Sequence, residues 1–135
     1  MLWALVELWL ATGDEDYQAQ LATPEMNELY LGAVGQLWWQ NLIYMAVDVA
    51  LESDSFPEGW GAAAEAAVIS RADEWEEAHA SHAYRRAWYS PDHRYFELAG
   101  WGNNLFIPLR ALVAAWQLTG EERYREAALL GLDYL

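Results

Sequence analysis

His79 and His82 stand three residues apart, a spacing that on a helix turns both imidazoles toward one side, where they could share a metal ion. Metal centres gather three or four ligands, and although Asp73, Glu76 and Glu77 lie nearby, no third ligand is evident. These residues, with Glu74, therefore read as a solvated helix face, and neither a metal nor another cofactor is expected. Thiol catalysis, thiolate metal sites and disulfides are excluded, because the chain has no Cys. What remains is aromatic: nine Trp, eight Tyr and three Phe. Such rings can fill a core, yet flat rings along a groove also hold sugars by stacking on the C–H faces of pyranoses. Position separates the two uses. Trp38 and Trp39 sit in the most apolar stretch and read as core, whereas Tyr84, Trp88, Tyr89, Tyr95, Phe96 and Trp101 share a stretch without helical period.

The elements that would position these residues are helical. Ala4–Tyr17 matches Ala111–Tyr124, with Ala, Leu, Val, Trp, Thr, Gly, Glu and Tyr at equivalent places. In each copy an apolar helix runs into Thr-Gly. There Gly can close the helix in the left-handed conformation, and the acidic residues that follow suit the positive end of the next helix. Tyr17 and Tyr124 are expected to pack back onto the first helix of their own pair. Each copy thus reads as a tight αα-hairpin, the unit of bundles, solenoids and toroids.

Between the copies a helix is expected to start at Pro24 to Met26. Residues 27–51 are apolar nearly all round, as a helix inside a larger layered structure would be. Residues 52–61 read as a loop from their Ser, Pro and Gly content, and helix returns over 62–80. The stretch 83–102, with Pro91, Gly100 and Gly102, reads as a long loop of the kind that carries function. Helix resumes from Asn103 to Leu118, where Pro108 is tolerable only within about the first turn. A last helix follows Gly120. About five helices and no β-sheet of consequence are expected, an all-α fold. Both chain ends fall within apolar helices, so residues 1–135 are expected to be a partial domain, cut at both ends.

At 135 residues a compact fold would bury about two-thirds of its unfolded surface. An apolar fraction of 55% excludes a disordered tail, and no apolar run approaches the ~20 residues of a membrane span. The formal net charge is −14, and all the cations are Arg. A surface this acidic repels phosphate backbones and anionic membranes, so neither nucleic acid nor membrane is expected as a partner, while a neutral polymer is not repelled. Residues 1–6 show neither a basic leader nor a small-residue cleavage site and do not read as a signal peptide. The compartment stays open.

Gly100-Trp101-Gly102-Asn103-Asn104 leads into an apolar helix, then Leu118-Thr119-Gly120-Glu121-Glu122-Arg123-Tyr124, then Ala127-Ala128 and Asp133-Tyr134-Leu135. This resembles a stretch in the C-terminal half of glycoside hydrolase family 9 catalytic domains, the endoglucanase family. There a Trp-Gly-Ser-Asn-like turn precedes a helix, Thr-Gly-Asp/Glu and a final Asp-Tyr-Leu. Ser81-His82-Ala83-Tyr84-Arg85 is similar to the family's Ser-x-Pro-Tyr-Arg approach to that turn, with Ala83 in place of Pro. The resemblance is strongest from Tyr84 to Leu135, weaker over the first hairpin, and carries no motif between residues 21 and 70.

The resemblance implies an (α/α)6 barrel, an αα-toroid, that hydrolyses β-1,4-glucans with inversion, using two carboxyls about 6.5–9.5 Å apart. It also implies one wall of a β-glucan or oligosaccharide cleft. Trp101 would stack on a glucosyl ring and Asn103 and Asn104 would hold the polar positions after it. Tyr95, in the same loop, is expected to be the next sugar contact. The residues themselves leave another reading open, in which Trp101 plugs the barrel end and Asn103 caps the following helix.

The family's Asp-Ala-Gly-Asp base motif, and its Glu downstream of His-x-Arg, are not in this chain. Asp14-Glu15-Asp16 lacks the pattern. Ser90-Pro91-Asp92-His93-Arg94 imitates family elements but precedes the Trp-Gly turn rather than following it. No catalytic residue is therefore assigned, and the chain is expected to be an inactive piece of an endoglucanase-like enzyme. Two other readings share the hairpin pattern: part of a different αα-toroid sugar enzyme, such as an epimerase or another glycosidase, or a non-enzymatic helical-repeat interaction module.

Overall fold

The computed structural model describes residues 1–34, 40–81 and 103–132. Among the described residues there are seven α-helices and no strand, so the fold is all-α as expected. They are α1 (Leu2–Thr12), α2 (Glu15–Leu21), α3 (Pro24–Val34), α4 (Gln40–Leu51), α5 (Trp60–Ser81), α6 (Asn103–Thr119) and α7 (Glu122–Leu132), with a 3₁₀ turn at Ser53–Ser55. Seven stand where about five were expected. The short α2 is the second helix of the first hairpin, as the repeat predicts. The excess arises where the apolar run read as one helix is assigned as α3 and α4, on either side of residues outside the description. The chain divides into two compact units, Met1–Val68 and Ile69–Leu135, with residues of α5 in both.

Both repeat copies close by the same bonds. Gly13 and Gly120 have φ of 63° and 74°, and their N–H groups donate to the carbonyls of Trp9 and Trp116, each at 2.8 Å. Thr12 Oγ1 donates to the Leu8 carbonyl at 2.7 Å and accepts from the Asp14 N–H at 3.2 Å. Thr119 Oγ1 donates to the Ala115 carbonyl at 2.7 Å and accepts from the Glu121 N–H at 3.1 Å. One hydroxyl thus serves both a backbone carbonyl of the helix before and an N–H of the turn leading to the helix after, where intrahelical partners run out. Asp14 Oδ1 then caps α2 by accepting from the Asp16 N–H at 3.0 Å. The two tyrosines differ: Tyr124 is fully buried, as expected, while Tyr17 is only half-buried.

In the first unit the core gathers on Trp60, the first residue of α5. Tyr30 of α3 stacks on it with ring centroids 3.9 Å apart and planes 8° from parallel, and Phe56 lies at 6.1 Å and 7°. The indole N–H donates to Asn27 Oδ1 at 2.7 Å, so the one polar atom of this large ring is satisfied. Gly59, with φ 86°, opens α5 by accepting from the Ala63 N–H at 3.1 Å. The loop expected to reach residue 61 therefore ends at Gly59. Gly61 packs so closely on the 3₁₀ turn that a Cβ there would overlap Ser53 Cβ.

The second unit buries Ala72 of α5, Leu109, Leu112 and Ala115 of α6, and Tyr124, Ala127 and Ala128 of α7 in one cluster, with Trp116 packed against it. Small Ala faces bring the helices close. Pro108 falls in the second turn of α6, not the first, which corrects the sequence expectation. Its missing N–H leaves the Asn104 carbonyl without an i+4 donor, and full burial of its ring contributes apolar packing instead.

Candidate functional site

Asn103 and Asn104 are the first two residues of α6. Trp101 and Tyr95 lie outside the described residues, as do the side chains of both Asn. Asp92, His93, Trp38, Trp39, His82 and the side chain of His79 fall outside as well. At the opening of α6 the first four N–H groups have no intrahelical acceptor, and Pro108 removes the donor that would meet the Asn104 carbonyl.

The second unit ties α7 to α5 by polar bonds as well as by its core. The Tyr124 hydroxyl donates to Asp73 Oδ1 at 2.7 Å, and Arg123 Nη2 meets the same oxygen at 2.7 Å. Arg123 also reaches Glu121 Oε2 through Nε at 2.7 Å, lies 3.7 Å from Glu76 through Nη1, and covers the Tyr124 ring at 4.3 Å. Burial first, then the Asp73 hydrogen bond, push the Tyr124 phenol up to about 12. Glu74 and Glu77 are exposed, as the solvated-face reading expects, while Asp73 and Glu76 are partly exposed and also face Arg123. Sequence spacing within α5 could not show a partner on α7. Among the described residues no three His, Asp or Glu side chains converge as a metal would require, and no helix is long and apolar enough to cross a membrane.

The first unit contains an open cleft of about 480 Å³ lined by Trp9, Leu10, Gly13, Asp48, Leu51, Glu52 and Ser55. The ends of α1 and α4 and the 3₁₀ turn form it. Trp9 Nε1 donates to the Ser55 carbonyl at 2.9 Å and fixes the indole. The sequence reading passed over this cleft. The available signal was Trp9 at a repeat position, with Asp48 and Glu52 one helical turn apart.

No protein-family model matches the chain, and no solved structure matches it. Over 136 aligned residues the chain is 28% identical to Endoglucanase C of Cellulomonas fimi, in an alignment that takes in 98% of this chain. The chain spans 12% of the length of that relative. Nearly all of it is therefore similar to one region of an endoglucanase.

Proposed function

We propose that this chain is part of a glycoside hydrolase domain of family 9 type, an (α/α)6 barrel acting on β-1,4-glucan. In this reading it supplies a wall of the substrate cleft and not the acid and base. The observation that carries the reading is the 28% identity to Endoglucanase C along 98% of the chain. The Trp-Gly-Asn-Asn turn supports it further, because α6 begins at Asn103, where the family's helix follows its turn. Trp101 and Tyr95 supply ring faces, and Asn103 and Asn104 supply polar contacts at the opening of α6.

The test is hydrolysis. The protein that contains this chain releases reducing ends from soluble β-1,4-glucan with inverted anomeric configuration, as a carboxyl pair separated by a water dictates. The 135-residue chain releases none. Turnover by the chain alone, abolished by Asp92→Asn or His93→Ala, contradicts the proposal and moves the chemistry to the motif before the turn.

A further inference from the structure

We propose that the cleft at the ends of α1 and α4 binds a short neutral saccharide, through residues distinct from those at the opening of α6. The cleft's volume, about 480 Å³, falls within the roughly 300–1,000 Å³ typical of small-ligand sites. Its lining is split as a pyranose is split. Trp9, Leu10 and Leu51 offer apolar surface to C–H faces, and Asp48, Glu52 and Ser55 offer oxygen to hydroxyls.

Two local features prepare the site. The Trp9 N–H is already used by the Ser55 carbonyl, so the indole is immobilised before a ligand arrives and loses little freedom on binding. The Glu52 N–H donates to the Asp48 carbonyl at 3.1 Å, which ties Glu52 to the end of α4 although its own φ of −115° and ψ of 35° lie outside the helical region. Asp48 and Glu52 both line the cleft, and the exposed Glu52 carboxylate can accept a charge-assisted bond from a hydroxyl.

The repeat supplies an internal comparison. Trp116 is the counterpart of Trp9, yet its ring packs against the core cluster and carries the Arg125 guanidinium 5.9 Å from its centroid. Both rings are partly buried, but Trp116 packs against the core cluster while Trp9 lines a cleft.

Other ligand classes fit less well. Two carboxylates in a chain of net charge −14 repel an acidic saccharide. A hard divalent cation needs about six to eight oxygens, whereas three of the seven lining residues are apolar. The inference does not rest on the hydrolase reading, because the cleft is argued from its own lining.

The experiment titrates the 135-residue chain with cellotetraose, following the Trp9 indole N–H by NMR and affinity by calorimetry. The expected result is a saturable shift of the Trp9 signal. In Glu52→Ala the affinity at this signal weakens about tenfold, the loss of one hydrogen bond to a charged group. Glu52 is exposed, so this variant keeps the fold, and an unchanged circular dichroism spectrum verifies that. Trp101→Ala leaves the Trp9 response in place, which separates this site from the α6 opening. An absent Trp9 shift, or one of equal affinity in Glu52→Ala, overturns the proposal. A shift produced by calcium and not by cellotetraose also overturns it and assigns a cation site.

Discussion

The Tyr124 hydroxyl and Asp73 Oδ1 meet at 2.7 Å, one bond joining helices 51 residues apart along the chain. Tyr124→Phe removes that bond but leaves Asp73 paired with Arg123, so the expected loss is about 1 kcal/mol of folding stability. The phenol is raised from 10.0 to about 12 in the folded state. A raised pKa means the unfolded chain loses its proton first, so this contribution is whole below pH 10 and is lost as pH rises toward 12. Urea titrations across that range should show a shallower decline in Tyr124→Phe than in the parent. Equal slopes would mean that Tyr124 is not shielded from water as the structure has it.

Tyr30 presents the opposite case. Its ring stacks on Trp60, but its hydroxyl is buried and has no hydrogen-bond partner among the described residues, and burial holds the phenol far above its ordinary pKa. Tyr30→Phe keeps the stack and removes the uncompensated polar atom, so stability should rise by about 1 kcal/mol. A loss of stability instead would reveal a partner for that hydroxyl.

Close approach of α5 to the 3₁₀ turn gives a paired test at glycine. A Cβ on Gly61 would overlap Ser53 Cβ and come within 3.2 Å of Ser53 Cα, so Gly61→Ala should cost about 1–3 kcal/mol. Gly32, inside α3, has nothing within 4 Å of its own Cβ position. Gly32→Ala should therefore gain about 0.5–1 kcal/mol from helix propensity. Thermal midpoints moving in the same direction would contradict the packing at Ser53.

The parts of the fold legible in the sequence were those fixed by neighbours. Thr12-Gly13-Asp14 and Thr119-Gly120-Glu121 specify the turn, because the hydroxyl, the left-handed glycine and the following N–H lie within three residues. The start of α6 at Asn103 was legible for the same reason. The stack of Tyr30 on Trp60 was not, since it joins residues 30 apart with no period to announce it. The Arg123 bonds to Asp73 and Glu76 escaped in the same way: a carboxylate on a helix looks solvated until another helix brings it a cation. Pro108 was misplaced because a propensity rule cannot count the packing gained by a buried ring. Of the site named from the sequence, Trp101 and Tyr95 lie outside the described residues and Asn103 and Asn104 stand at the start of α6, while the cleft beside Trp9 was not legible because it exists only where the ends of two helices and a 3₁₀ turn come together.

Trp101→Ala bears most directly on the proposed cleft wall. If Trp101 stacks on a glucosyl ring in the protein that contains this chain, the variant should lose on the order of 1–3 kcal/mol of oligosaccharide interaction, with a much smaller change in stability. If it instead plugs the end of a barrel, the same change should cost about 3–5 kcal/mol of folding stability, as large-to-small core substitutions do. Oligosaccharide affinity and thermal midpoint measured on this one variant separate the two. The account predicts weakened affinity at a nearly constant midpoint, and unchanged affinity with a collapsed midpoint would contradict it.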